Sequence, residues 1–600
     1  RSKAFDYLYK AAELSIGEEN PINVDQRLQQ LLSLYPEHEK YVRLSILKVR
    51  IALSRKQPDA AMKTLHAITP RAKGNEVLEI LDLKASSLTL AGFPLESTQV
   101  RIELDEQLQT LQAGPERLES NDREIWISLM QVNPGLISEQ ISEIPDTYSG
   151  WLELAHLTNS YQYDNLRLNN EIDAWLKRHP DHPATRHIVE TIRMRQIATS
   201  QHPDHIALVL PLTGKLATAG KAIRDGFLAA YLESAAAIGV NVKIDIHDTA
   251  GQPDLATFAV RQADQSGAKF IVGPLDKNAV SAVANLAGIS SQVLVLNQIP
   301  VDPFIEAPET AATTTEEDIN STAEAETKVD AAQALIESNI YPDVYPIIYQ
   351  FTLAPEDESS QVAERASLDQ HFNAMAIVPE NVWGNRIYEA FAERYSGLGG
   401  EILTKQTYKK GSADHSTIIQ NGLNLTNSKI RYQQLKGFLR RDIEFTPRRR
   451  KDIDMIFLVA HPQDARQIKP QLDFYYAADI PVYATSHVFT GVASAKKDKD
   501  LEGIQFCDMP WVLNPAQDAS TNAYKTLSGN SRQLIRLYAL GIDAFRLIPH
   551  LPWLEEHTGD WIAGQTGRLS LAPDRSIIRK VSWSRFVEGA PETTHSSASL

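Results

Sequence analysis

Three short phrases gather the residues best equipped for chemistry. The first is Gly-Lys-Leu-Ala-Thr-Ala-Gly-Lys at 214–221, with the glycines and lysine of a phosphate-cradling loop. Such a loop needs tighter glycine spacing and a Ser or Thr after its lysine to hold magnesium. Here five residues separate Gly214 from Gly220, and Ala222 follows Lys221, so that chemistry is excluded. The second phrase is Asp452-Ile453-Asp454, a carboxylate pair of the kind used for acid–base work. It follows Arg448, Arg449, Arg450 and Lys451, and ion pairing is the expected role. The third is Asp248-Thr249-Ala250-Gly251 at the end of an apolar–polar alternating run. An Asp there sits where open α/β sheets bind ligands, or it caps its own turn, and both readings stand. Cys507 is the sole cysteine, which excludes an internal disulfide and a CxxC metal site. In Gly-Ile-Gln-Phe-Cys-Asp it reads as a small buried strand residue. The histidines of the first 200 residues (His38, His66, His156, His179, His182, His187) are scattered beside Pro, Asp and Glu and are expected in solvated loops. No GxSxG, HExxH or EF-hand phrase occurs. No catalytic residue, metal or cofactor is expected.

What must position these groups is a chain too long for one core: 600 residues imply two to four domains. Apolar content of 43% and charged content of 23% are those of a globular protein. A formal charge of −16 disfavours a nucleic-acid partner, which needs a basic surface. No run approaches the roughly 18 apolar residues of a membrane span. The chain begins at Arg1 without an initiator Met or a signal-peptide hydrophobic segment, and is expected to be a processed form.

Residues 4–196 carry helical periodicity: Leu44, Leu47 and Ile51 form one stripe, Met62, Leu65 and Ile68 another, Leu104, Leu108 and Leu111 a third. Prolines at 21, 36, 58, 70, 94, 115, 134, 145 and 180 punctuate them. Pro36 and Pro70 lie 34 residues apart, and Pro145 and Pro180 lie 35 apart. The tetratricopeptide repeat has a period of about 34. A tetratricopeptide-like helical superhelix is expected over 1–200, with an irregular bundle as the alternative.

After a turn-rich seam at 197–204 the pattern changes to strands separated by helix-length segments. Ile206 to Pro211, Val240 to His247, Lys269 to Val272, Val293 to Leu296, Ala374 to Val378, Met455 to Val459 and Val482 to Ala484 read as strands. Parallel βαβ units follow. Two segments interrupt them. Residues 301–343 are rich in Glu, Ala and Thr with Lys328 as their only base, and read as a disordered or loosely helical insertion. Residues 429–452 gather Lys436, Arg440, Arg441, Arg448, Arg449, Arg450 and Lys451 in an acidic protein. They read as a solvated loop or as a docking patch for an acidic partner or for the cell-wall polymer.

Leu-Pro-Leu-Thr-Gly (210–214), Asp-Thr-Ala-Gly (248–251), Val-Gly-Pro-Leu (272–275), Asn-Val-Trp-Gly (381–384) and Ile-Pro-Val-Tyr-Ala-Thr-Ser (480–486) resemble segments of type I periplasmic binding proteins. That resemblance implies a two-lobed α/β domain over 201–600. It further implies chain crossings near 355–370, 487–505 and 550–560. The implied cleft residues are Thr213, Gly214, Asp248, Gly273, Pro274, Asn297, Trp383 and Ser486. In amino-acid-binding relatives the strand-end loops hold the ligand with Ser and Thr hydroxyls; here Asp276 and Lys277 stand in the third-strand loop, so solute binding is in question.

The helical half followed by this α/β half resembles the LpoA family of outer-membrane lipoproteins. The end phrases Trp-Ile-Ala-Gly-Gln-Thr-Gly-Arg-Leu-Ser-Leu (561–571) and Val-Ser-Trp-Ser-Arg-Phe (581–586) fit it too. The resemblance implies a non-enzymatic regulator in the periplasm, held to the outer membrane by an N-terminal lipid. It would activate the transpeptidase of a class A penicillin-binding protein, with peptidoglycan a further partner. Arg440, Arg441, Arg448, Arg449 and Arg450 are the candidate partner contacts. The competing expectation is a solute receptor that closes on an amino acid or muropeptide.

Overall fold

The computed structural model describes residues 40–130, 132, 134–142, 144–238, 241–300, 345–441, 444–514 and 534–594, with Lys10, Leu28, Gln29, Leu32 and Ser33. The acidic insertion 301–343, His38 and the phrase around Pro36 lie outside the described residues. The chain divides into two compact units: residues 1–197, 355–515 and 580–600, and residues 198–354 and 516–579.

The helical part of the first unit is a run of paired helices, including Tyr41–Ser54, Pro58–Ile68, Asn75–Ala91, Pro94–Thr110, Pro115–Leu129, Thr147–Ser160 and Asn165–Arg178. Its prolines start helices more than they stop them. Pro58, Pro94 and Pro115 each occupy a first helical position, where the missing N–H would have had no partner and the ring presets φ. Two of the apolar stripes are buried as expected. The third is corrected at Leu111, which follows the helix end at Thr110 and stands 51% exposed. The histidine expectation is corrected in part: His66 and His156 lie on helices rather than in loops, and His182 is buried. His182 is 6% exposed, set against Trp151 and Trp175. Its Nδ1 accepts from the Ala184 N–H at 3.1 Å, and its Nε2 meets the Thr147 carbonyl at 2.9 Å. Burial pushes its pKa down to about 4, so the ring is neutral. A buried imidazole with both nitrogens bonded is a packing element, and single-residue spacing cannot reveal that. A buried ion network, Arg186 with Asp105 and Asp122 at 2.9 and 3.0 Å, ties helices far apart in sequence.

The second unit carries five parallel strands: β1 (His205–Leu210), β2 (Lys243–Asp248), β3 (Phe270–Val272), β4 (Gln292–Val295) and β5 (Ile348–Gln350). Their spatial order is β2-β1-β3-β4-β5. β1 is buried along its whole length, as a continuous apolar run with helices on both faces must be. Two helices of this unit, Ala217–Ile238 and Ile535–Leu547, cross at Gly226 and Gly541. A Cβ on Gly226 would stand 2.0 Å from the Tyr538 carbonyl oxygen, and one on Gly541 2.0 Å from that of Ile223. Only hydrogen fits at both positions.

Further along the chain, β6 (Asn373–Pro379), β7 (Glu401–Tyr408), β8 (Met455–Leu458), β9 (Val482–Ala484) and β10 (Gln505–Asp508) return to the first unit. β11 (Ile562–Ala563), β12 (Arg568–Leu571) and β13 (Ile577–Lys580) form a small sheet of their own, and β14 (Ser582–Val587) and β15 (Ala590–Thr593) close the chain. The seven-stranded order is β15-β14-β10-β9-β8-β6-β7, parallel from β7 to β10 and antiparallel through β14 and β15. The chain thus pairs a helical half with the two α/β sheets of a type I binding-protein fold. The stretch 487–505, expected to cross between lobes, leads into β10 of the same sheet, and the units part at 515/516. Residues 550–560 lead into β11, and the last parting falls at 579/580. The parting at 354/355 adjoins the expected 355–370.

Candidate ligand-binding and partner-binding sites

Six of the eight expected cleft residues lie on the second unit, in the loops after β1 to β4. Asp248 ends β2, and its carboxylate is fully engaged by its own neighbourhood. It accepts from the Leu212 N–H at 2.8 Å, the Thr213 N–H at 3.2 Å, the Thr213 hydroxyl at 2.7 Å and the Ala250 N–H at 2.8 Å. Burial raises its pKa, but these bonds outweigh burial and hold it below the usual carboxylate range. Of the two sequence readings, the geometry is that of a turn cap. Thr213 donates its hydroxyl to Asp248, and Gly214, at φ +77°, passes so close that a Cβ would stand 2.7 Å from the Ala250 carbonyl oxygen. Gly273 (φ +109°) precedes a cis bond to Pro274, and a Cβ there would meet the Val209 carbonyl oxygen at 1.9 Å. Asp276 caps the helix Lys277–Ala284, accepting from the Asn278 and Ala279 N–H groups at 2.9 and 3.2 Å. Asn297 donates to the Leu275 carbonyl at 3.0 Å and accepts from the Gln298 N–H at 2.9 Å.

Trp383 and Ser486 lie on the first unit, at the carboxyl ends of β6 and β9. Asn381 caps the helix Val382–Gly397 by accepting from the Gly384 N–H at 2.7 Å, which fixes Trp383 in its first turn. The Trp383 ring stacks on His461, centroids 4.6 Å apart and planes 7° apart, and meets His487 edge-on at 5.2 Å. Burial, then the Lys410 charge, lower the His461 pKa, and Asp464 opposes them. A neutral imidazole stacks on indole without desolvating a charge. The buried Ser486 donates its N–H to Glu358, itself buried, at 3.1 Å. Sequence reasoning missed His461, His487 and Glu358. The signal for both histidines was positional, since each follows a parallel strand within a few residues, where α/β sheets present functional groups.

The carboxylates of 452 and 454 separate. Asp452 pairs with Arg450 at 2.6 and 2.7 Å, as expected. Asp454 accepts from the Phe372 and Asn373 N–H groups, both at 2.9 Å, and so starts β6. Cys507 is buried on β10.

The basic segment is no plain loop. It begins on the helix Leu425–Leu439, which buries only Leu425 and Ser428. Phe438 is 85% exposed, with Ile430, Leu435 and Leu439 also exposed. Arg449 pairs with Asp479, and Arg450 with Asp452. Arg440, Arg441 and Arg448 have no ion-pair partner among the described residues. The five arginines thus divide into two that fasten the segment and three that face solvent, Arg440 and Arg441 of them directly after the exposed Phe438 and Leu439. Among the described residues, no cluster of His, Cys, Asp and Glu could hold a metal ion. None of the described helices is long and apolar enough to cross a membrane.

The family model described as "LppC putative lipoprotein" matches residues 2–326 and 317–589. The chain is 26% identical over 520 residues to the penicillin-binding protein activator LpoA of Photobacterium profundum, covering 85% of this chain and 76% of that one. It is 24% identical over 583 residues to the protein of the same name from Aliivibrio fischeri, covering 96% and 88%. The crystal structure of full-length LpoA from Haemophilus influenzae is 22% identical and covers 98% of this chain and 95% of that one, with a TM-score of 0.47.

Proposed function

The chain belongs to the LppC lipoprotein family, and from that premise we propose that it binds a class A penicillin-binding protein and activates its transpeptidase without catalysing a reaction itself. The relatives named as activators support the reading. The observation that carries it is the exposed apolar strip of Leu435, Phe438 and Leu439 with Arg440 and Arg441 at its end, neither in an ion pair among the described residues. Apolar anchors with Arg at their edge are the composition of protein interfaces. In an acidic chain such a face selects an acidic, apolar partner surface. The partner contacts are therefore Arg440, Arg441 and Arg448, while Arg449 and Arg450 hold the segment in shape. Activation means that this face binds the active state of the synthase more tightly than the resting state. The protein works in the periplasm, held to the outer membrane by an N-terminal lipid.

The competing receptor reading needs free donors and acceptors at the strand ends. Thr213, Asp248, Asp276 and Asn297 spend theirs on one another and on backbone. The combined charge reversal Arg440→Glu, Arg441→Glu, Arg448→Glu is expected to weaken binding to a purified class A synthase at least tenfold in surface plasmon resonance, with an unchanged melting temperature. Unchanged affinity would remove this face from the account.

A further inference from the structure

The helical part of the first unit contains a cleft that synthase activation leaves unused. Its volume is about 460 Å³, within the roughly 300–1,000 Å³ of small-ligand sites. It opens among the helices Tyr41–Ser54, Asn75–Ala91, Pro94–Thr110 and Pro115–Leu129. Leu78, Leu104 and Leu108 supply apolar lining. The charged wall is balanced, Arg50, Arg101 and Arg117 against Glu79, Asp82 and Glu124. Arg50 and Glu79 neutralise each other. Arg101 differs from them, because its side chain is only 3% exposed. Its Nη1 donates to Asp82 at 3.0 Å and Asn121 at 3.3 Å, its Nη2 donates to Ser86 at 3.3 Å, and Glu124 lies 3.6 Å away. Its Nε–H is buried and has no hydrogen-bond partner. An unmet donor on a buried guanidinium is costly, which sets Arg101 apart as the strained charge of the cleft wall. Arg117, exposed at the rim, has no ion-pair partner among the described residues. Asp82 and Glu124 are 54% and 49% exposed, with lone pairs still open.

We propose that this cleft binds a short peptide bearing both a free carboxylate and a free ammonium group. Arg117 at the rim takes the carboxylate with the buried Arg101 charge behind it, Asp82 and Glu124 take the ammonium, and the leucines take an apolar side chain. Guanidinium suits the carboxylate because its planar fork matches two oxygens at once. Equal numbers of each charge reject polyanions and polycations and leave a zwitterion as the complementary ligand. The inference is independent of the activator reading, since the cleft lies far along the chain from the basic segment and its test needs no synthase.

The probe is the tripeptide Ala-Leu-Ala with free termini, titrated calorimetrically into the full chain beside its C-terminal amide and a version ending in D-Ala. Amidation is expected to weaken binding at least tenfold, and Arg117→Ala about fivefold, with the melting temperature unchanged. Arg101→Met is expected to abolish binding; because it also breaks buried bonds, the rim variant Arg117→Ala carries the test. Tighter binding of the D-terminated peptide identifies a wall stem peptide as the source, and tighter binding of the L-form a protein C-terminus. Equal affinity for free and amidated peptide, or no binding of either, overturns the proposal.

Discussion

After β1, β2 and β3 the polar side chains bond to one another, whereas after β6, β8 and β9 aromatic rings stand in their place. On the second unit, Asp248 gathers four donors from its own loops, and Asp276 caps the helix that follows it. On the first unit, Trp383, His461 and His487 pack ring to ring, with Glu358 holding the Ser486 N–H and the Thr485 hydroxyl 3.3 Å from His487 Nδ1. Both are the positions where α/β sheets place ligand-binding groups. Each has been filled by the protein itself, one by hydrogen bonds and the other by rings. The difference shows how a fold can be kept while its usual binding groups are turned inward to hold loops in place.

The comparison can be broken most heavily at Glu364, which ties together the two helices framing the aromatic end. It lies on Pro355–Leu368 and bonds Arg394 of Val382–Gly397 at 3.0 Å, Lys580 at 2.9 Å and Lys56 at 3.4 Å. Burial raises its pKa, but Lys580, Lys56 and Arg394 overcome burial and hold it down to about 2. A carboxyl lowered in the folded state stabilises fully above its ordinary pKa and loses that contribution as pH falls through the folded value. Glu364→Gln is therefore expected to lower stability by about 3 kcal/mol at pH 7. The deficit should shrink between pH 4.5 and 2 in chemical denaturation. A pH-independent deficit would mean that packing, not charge, is what Glu364 supplies.

Next is the ring cluster itself. Trp383→Ala removes a half-buried ring and should cost about 2 kcal/mol, below the range for fully buried Trp. Thermal unfolding followed by calorimetry would register it, and Trp383→Phe should recover part of the loss. On the second unit, Asp276→Ala removes a helix cap and should cost about 1 kcal/mol. The smallest effect is Asp248→Asn, about 1 kcal/mol or less at this exposed site. Its sharper readout is hydrogen exchange, where the Leu212, Thr213 and Ala250 amides should lose protection together. Exchange unchanged at those amides would show that the loops do not depend on the carboxylate.

Much of this architecture was legible in the residues. Continuous apolar runs marked β1, β3, β6 and β8, because strands covered on both faces have no polar side to hide. Helical stripes marked the first half for the same reason. The edge strand β7, in which polar and apolar side chains mix, and β12 to β14, which bury alternate residues rather than a continuous apolar run, were not legible. At the candidate site, Asp248 could be placed at a strand end but its partners could not. Thr213 lies 35 residues away in sequence, and only the β1–β2 pairing brings the two side chains together. His461 and His487 escaped notice because a ring at a strand end carries no local signature until its neighbours are known. In the basic segment, charge was visible from the sequence, whereas the division between paired Arg449 and Arg450 and solvent-facing Arg440, Arg441 and Arg448 depends on Asp479 and Asp452.

The central claim is that the chain activates a synthase. The measurement that tests it most directly is peptide cross-linking of lipid-linked precursor by a purified class A penicillin-binding protein, with and without the full chain. The account predicts a several-fold rise that the triple charge reversal at Arg440, Arg441 and Arg448 removes. No rise from a correctly folded chain, together with a binding heat for free amino acids, would contradict it and return the strand-end loops to the role of a receptor.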